Sequence, residues 1–174
     1  MKLRNWLATD AGDLSIIANH KEVAAMLRDN FPYPFSIHHA TDFIRRCIKN
    51  SNKNILNAIL YKEKLVGAIS IEIKEDVSPN NGELGYWITP QYWGQGIASA
   101  SVSKMVQLGF NEFKINRIYA EVFSNNLASI KVLEKCNFQK EDKIKNAVFK
   151  NGQFQDCYIF AIQNQQYYSS FNHK

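Results

Sequence analysis

The chain is poor in features that would staple, anchor or divide it. Cysteine occurs three times, at Cys47, Cys136 and Cys157, widely spaced and in no CxxC or Cys/His cluster. That pattern points to free thiols in a reducing compartment and away from a disulfide frame or a zinc site. His20, His38, His39 and His173 have no serine or cysteine nucleophile pattern beside them, so surface or capping roles are expected and no metal is implied. No apolar run approaches the roughly 20 residues that a bilayer span needs, so no membrane partner is expected. Lys2 and Arg4 near the start are followed by no apolar stretch, so no signal peptide is read and a cytoplasmic location is expected. Repeats, low-complexity runs and Pro/Gly linkers are absent, so residues 1–174 are expected to form one domain, with a polar tail over 163–174 free to fray.

What is present is ordinary globular material: 45% hydrophobic, 13% aromatic and 21% charged residues, enough for a sizeable core. The net charge is +5, but the positive residues are scattered. Their tightest cluster, Arg45, Arg46 and Lys49, falls on one expected helix and reads as a solvated face, so no direct nucleic-acid contact is expected. A modest positive balance also suits an anionic ligand or an acidic partner.

Leu3 to Leu7 reads as a short first strand, and Asp10 or Asp13 as the cap of a helix through Asn19, with Glu22 to Leu27 helical after it. Pro32 and Pro34 force an extended or turned segment from Asn30 to Phe35. Ser36 then caps a helix reaching Lys49, with Ile37, Ala40, Phe43, Ile44 and Cys47 on its apolar face. Two strands, Ile55 to Tyr61 and Leu65 to Lys74, flank the tight turn Lys62-Glu63-Lys64; a polar loop, Glu75 to Asn81, leads to a strand over Gly82 to Ile88. A long helix from about Gly96 to Phe113 places Ala98, Val102, Met105, Val106, Gly109 and Phe113 on one face. A strand at Arg117 to Val122 and a helix at Asn126 to Lys135, with Ile130 and Leu133 inward, follow. The last two strands, Phe138 to Phe149 and Phe154 to Ile162, flank Asn151-Gly152, the strongest short hairpin signal because a type I′ turn needs positive φ at both positions. This order predicts an α+β fold: a mixed, mostly antiparallel central sheet with helices on both faces.

The informative stretch is Gln91-Tyr92-Trp93-Gly94-Gln95-Gly96-Ile97-Ala98, between a strand and a helix start. Backbone N–H groups at a helix start have no intrahelical partner and converge with the positive end of the helix dipole, a natural seat for phosphate oxygens. Gly94 and Gly96 allow close approach and unusual dihedrals. Neither GxGxxG nor GxxxxGK[ST] is present, and GxG before a helix is by itself also compatible with a plain turn.

Gln91-x-x-Gly94-x-Gly96 resembles the Q/R-x-x-G-x-G/A hallmark of the GNAT superfamily of N-acetyltransferases at every fixed position. Glu83-Leu84-Gly85-Tyr86-Trp87-Ile88 looks like the preceding strand in the ribosomal-protein (RimJ- and RimL-like) N-terminal acetyltransferase branch. Asn126-Leu127-Ala128-Ser129 with Val132-Leu133-Glu134-Lys135 is similar to the second cofactor-contacting helix, and Asn151-Gly152 to Asp156 and Tyr158 to that branch's last hairpin. Leu3-Arg4, Asp10-Ala11 and Pro34-Phe35-Ser36 fit as well, so the resemblance covers about residues 3 to 162. Asn137 departs from it: the family usually has Gly there, and Asn also tolerates the left-handed cap conformation.

The resemblance implies acetyl-CoA as cosubstrate, its diphosphate on Trp93, Gly94, Gln95, Gly96, Ile97 and Ala98 after Gln91, and its pantetheine between strands that part, with Gly85 as a bulge opening that gap and the backbone near Ile88 pairing with amides or the thioester oxygen. An amine nucleophile must lose a proton before it attacks, and the resemblance puts the base at Glu83; the competing reading is a solvent-facing strand glutamate. Alternation sets Glu83, Gly85 and Trp87 on one face and Leu84, Tyr86 and Ile88 on the other, so Trp87 is expected to wall the site and its apolar bulk to raise the carboxylate's proton affinity. Many members of the superfamily protonate the leaving thiolate from a tyrosine on the second helix, and no tyrosine lies between Asn126 and Asn137 here; the resemblance to the ribosomal-protein branch, which has a serine at this position, implies that role for Ser129, which is otherwise an ordinary helix serine or a cofactor ligand. Asn126 is a cofactor amide partner, the helix N-cap, or both. Phe31, Tyr33, Phe35 and Trp87 are the expected acceptor pocket, with core packing as the alternative for the first three.

The expected activity is acetyl transfer to a primary amine, first of all a protein N-terminal α-amine. A small-molecule amine (a polyamine, an aminoglycoside or an amino-acid derivative) is the alternative, with Glu72, Glu75, Asp76 and Glu83 as a possible acidic pocket for a cationic acceptor. A non-catalytic acyl-CoA-binding module is the third reading, disfavoured by Glu83 and Ser129. Dimers are common among similar enzymes, and the sequence leaves the oligomeric state open.

Overall fold

A computed structural model of the chain describes residues 1–75 and 80–165. Asp76 and His173, and the tail beyond residue 165, lie outside the described residues. The elements run β1 (Lys2–Asn5), α1 (Ala11–Ile17), α2 (Lys21–Ala25), α3 (Ile37–Lys49), β2 (Ile55–Tyr61), β3 (Lys64–Ile73), β4 (Asn81–Ile88), α4 (Ile97–Asn111), β5 (Arg117–Phe123), α5 (Leu127–Lys135), β6 (Gln139–Lys150) and β7 (Gln153–Gln163). The strands form one seven-stranded sheet in the order β1-β2-β3-β4-β5-β7-β6. The β1–β2, β5–β7 and β6–β7 pairs are antiparallel, and β4–β5 is parallel. This is the α+β, mixed and mostly antiparallel architecture that the element order predicts.

The chain falls into two compact units, one of Met1–Ser70 with Tyr86–Ser101, the other of Ile71–Gly85 with the residues from Val102 on. In the first, Trp6, Leu14, Phe35, Ala40, Ile44 and Ala58 form a buried cluster, with Phe31, Phe43 and Trp87 packed against it. Four of the five residues expected on the apolar face of α3 point inward; Ile37, in its first turn, is 47% exposed. Arg45, Arg46 and Lys49 lie on the exposed face of that helix. In the second unit Ile71, Met105, Ile115, Ile118, Leu133 and Phe160 are almost fully buried, each adding about 2 kcal/mol of apolar burial.

Local signals place several joints. Ser36 Oγ accepts the His39 N–H, and His39 Nδ1 accepts the Ser36 N–H, a reciprocal cap at the start of α3. Asn137 takes φ +64, and Asn151 and Gly152 take +53 and +77, as the C-cap and the I′ turn require.

Three local expectations need correction. The Asp10 side chain accepts no capping bond from α1, because its carboxylate is bound twice by Arg4 and once by the Leu7 N–H. The helix expected through Asn19 ends at Ile17, and Asn19 Oδ1 instead accepts the Phe35 N–H at 2.9 Å. Phe113 lies past the end of α4 and is 38% exposed, since the chain turns at Lys114, φ +55.

Candidate active site

The turn after β4 is built as a braced loop. Pro90–Tyr92 makes one 3-10 turn, closed by Tyr92 N–H and Trp93 N–H on the carbonyls of Thr89 and Pro90. Thr89, 1% exposed, hydrogen-bonds β3 through its N–H to Val66 C=O, and its hydroxyl donates to Gln91 Oε1 at 2.6 Å. Gln91 C=O accepts Gln95 Nε2 at 3.3 Å, and Gln91 Nε2 sits 3.4 Å from His20 Nε2. The Trp93 ring folds back, its Nε1–H donating to Ile88 C=O at 2.6 Å. Gln91 and Trp93 are therefore braces of the loop as well as its motif residues.

Gly94 and Gly96 have φ of +73 and +74, and a Cβ at either would meet nothing within 4 Å. The backbone is thus left-handed at two points and open on its outer side, a conformation any side chain other than glycine would strain. The first intrahelical bond of α4 runs from Ala100 N–H to Gly96 C=O, so the N–H groups of Ile97 and Ala98 lie ahead of the helical ladder. A bare, glycine-opened backbone at a helix start has the donors and the dipole direction that an anionic diphosphate needs.

In the second unit β4 and β5 pair only over Asn81↔Arg117, Gly82↔Ile118 and Glu83↔Tyr119. The ladder stops at Glu83, while Leu84 and Gly85 continue β4 and Ala120 to Phe123 continue β5 against β7. Glu83 is thus the last paired residue before the ladder ends. Burial along β4 alternates about it, with Gly82, Leu84 and Ile88 buried and Gly85 exposed. Lys74 Nζ lies 2.6 Å from Glu83 Oε2, and the Tyr119 hydroxyl donates to the same oxygen at 3.3 Å. Burial pulls the Lys74 ammonium toward its neutral form, but hydrogen bonds to Glu83 and Tyr119 and the Glu83 charge outweigh it and hold Lys74 above its ordinary range. Burial pushes the Tyr119 hydroxyl up. Asn126 Oδ1 caps α5 by accepting the Ser129 N–H at 3.1 Å.

A family model described as an acetyltransferase (GNAT) domain matches residues 1–139. The chain belongs to the GNAT acetyltransferase family. A relative from Bacillus licheniformis, the uncharacterized N-acetyltransferase p20, is 35% identical over 92 residues, covering 53% of this chain and 52% of that protein. The chain thus spans about half the length of the curated relatives it matches. Two solved structures share the fold. RimL, a ribosomal L7/L12 alpha-N-protein acetyltransferase in complex with coenzyme A, superposes with TM-score 0.84 at 21% identity over 92% of each chain. The spermidine N-acetyltransferase from Vibrio cholerae, in complex with coenzyme A and spermine, does so with TM-score 0.80 at 20% identity over 96% of this chain and 97% of that one.

Within this member of the GNAT family the expected site residues are distributed as follows. Ile88, Gln91 and the Trp93–Ala98 backbone lie in the first unit with Phe31, Tyr33, Phe35 and Trp87. Phe35 is 5% exposed and belongs to the core cluster; it stacks on Phe31 at 5.0 Å, and Phe31, packed against that cluster like Trp87, meets Trp87 edge-on at 5.7 Å. Tyr33 is 52% exposed. Glu83, Asn126 and Ser129 lie in the second unit. Two neighbours of Glu83, Lys74 and Tyr119, are not legible as its partners in the sequence. Their only prior signal was position: Lys74 follows β3 and Tyr119 faces Glu83 in β5, which strand register alone reveals. Among the described residues no group of His, Cys, Asp and Glu is arranged to hold a metal, and no helix is long and apolar enough to cross a membrane.

Proposed function

We propose that this GNAT acetyltransferase moves an acetyl group from acetyl-CoA to a primary amine, with a protein N-terminal α-amine as the favoured acceptor. The observation that carries the cosubstrate is the loop itself: two positive-φ glycines, open on their outer side, before a helix whose first N–H groups precede its ladder. Gly94 to Ala98 would hold the diphosphate, and the Ile88 backbone, whose carbonyl already takes the Trp93 indole, would border the pantetheine arm. Acetyl-CoA, when bound, supplies the activated acetyl thioester. The chain's own residues supply the proton traffic: Glu83 removes a proton from the acceptor amine and Ser129 Oγ delivers one to the leaving sulfur.

The choice of acceptor rests on charge. A polyamine needs uncompensated carboxylates; of the acidic residues expected to gather one, Glu83 is matched by Lys74 at 2.6 Å, while Glu72 and Glu75 are exposed. With a net charge of +5, the chain offers little to attract a multiply charged cation. An acceptor screen with acetyl-CoA, reading free thiol, tests this with N-terminal peptides beside spermidine, an aminoglycoside and free amino acids. Peptides are expected to give the highest kcat/KM. A preference for spermidine would overturn the acceptor assignment, and acetyl-CoA binding with no accelerated thiol release would overturn catalysis.

A further inference from the structure

Glu83 belongs to a chain of side chains that runs from the end of β3 over β4 and β5 to β6. Lys74 Nζ and Tyr119 OH both reach its Oε2, Arg117 Cζ lies 5.1 Å from the centre of the Tyr119 ring, and Arg117 closes on Glu141 of β6. Lys74 lies 5.7 Å from the same ring. Positive and negative groups alternate along it: Lys74, Glu83, Arg117, Glu141. Glu72 of β3 and Glu121 of β5, each two residues from a member of the network, are exposed. The Glu83 side chain is 15% exposed and that of Lys74 35%.

Such an arrangement does two things to a carboxylate. It orients the carboxyl group, because two donors on one oxygen hold that oxygen in place. It also favours the ionised form, because a cation at hydrogen-bond distance stabilises the negative charge and a hydroxyl donor adds to it. Removing the ammonium leaves the same carboxylate with less reason to stay charged.

We infer that Lys74, assisted by Tyr119, is a positioning residue that holds Glu83 ionised and oriented for proton abstraction. Lys74 itself need not touch the acceptor; it acts through Glu83. The inference rests on the reading of Glu83 as the base, and the test separates the two. The pH dependence of kcat is measured for the wild type, Glu83→Gln, Lys74→Met, Lys74→Arg and Tyr119→Phe, with saturating acetyl-CoA and an N-terminal peptide as acceptor. Glu83→Gln identifies the acidic limb that belongs to Glu83 by removing it; if wild-type rate and limb persist in Glu83→Gln, the base reading fails and this inference with it. Given that limb, Lys74→Met is expected to move it up by about one pH unit and Tyr119→Phe by less. Lys74→Arg, which keeps the charge, is expected to hold it near the wild-type position. A limb lost in Glu83→Gln but unmoved in Lys74→Met overturns the positioning role while leaving the base in place. Should Lys74→Met fail to fold by circular dichroism, Lys74→Gln, which keeps a donor and loses the charge, is read by the same criterion.

Discussion

The Trp93 indole N–H donates to Ile88 C=O at 2.6 Å, so the residue before Gly94 ties the loop back to the end of β4. Together with the Thr89 hydroxyl on Gln91 and the Gln95 side chain on the Gln91 carbonyl, this braces the loop with three side-chain hydrogen bonds. A loop braced in this way loses less entropy when its N–H groups are ordered on binding.

Gly94→Glu is therefore a clean probe of the diphosphate seat. A Cβ at this position meets nothing within 4 Å, so the fold is expected to lose only about 1 kcal/mol to left-handed strain. The new carboxylate projects into the open side and repels an anion. Acetyl-CoA affinity by calorimetry is expected to fall at least about a hundredfold, equivalent to roughly 2.8 kcal/mol. Unchanged affinity would remove the loop from the binding site.

Ser129→Ala separates chemistry from helix stability. The α5 cap uses the Ser129 N–H, which alanine keeps, so the cap itself survives the substitution. If the hydroxyl protonates the leaving sulfur, kcat should drop on the order of a hundredfold with little change in acetyl-CoA affinity. Asn126→Ala gives the converse, about 1 kcal/mol of stability from the lost cap. An unaltered kcat in Ser129→Ala would demote the serine to a helix residue.

Gly67 tests the packing behind the loop. A Cβ there would lie 2.2 Å from the Trp87 carbonyl oxygen and 3.1 Å from Ile88 Cα, both backbone atoms that cannot swing aside. Gly67→Ala is expected to cost about 3 kcal/mol, a fall of roughly 8 °C in a thermal melt. A melt within a degree of wild type would mean that β4 yields at this point.

Asp10 should make stability depend on acid. Burial works to raise its proton affinity, but the Arg4 hydrogen bonds, the Leu7 N–H and the Arg4 charge together hold it below the usual carboxylate range. A depressed folded-state value stabilises the fold above the ordinary carboxylate range and loses that contribution as pH falls through the folded value. Asp10→Ala is expected to be about 2 kcal/mol less stable by denaturant melts at pH 7, with the gap closing below about pH 4. A gap of the same size at pH 2.5 would show that Asp10 acts by packing alone.

The parts whose signal is local were legible in the chain before folding was considered. Asn151-Gly152 needs positive φ at both positions, Ser36 needs only the turn that follows it, Asn137 tolerates the left-handed cap, and the glycines before α4 announce an exposed helix start; each is a property of a few adjacent residues, and the structure has each in place. Partnerships across strands were decided only by tertiary structure. Lys74 and Glu83 lie nine positions apart, and Tyr119 a further 36, so nothing short-range brings them to one carboxylate oxygen. Asp10 followed the same logic: its composition suits a cap, yet an arginine six residues earlier, carried by β1, binds it more strongly. Charged side chains take the partner that offers the best geometry at the least solvent exposure, and which partner that is depends on strand register, a quantity that exists only once the sheet has formed.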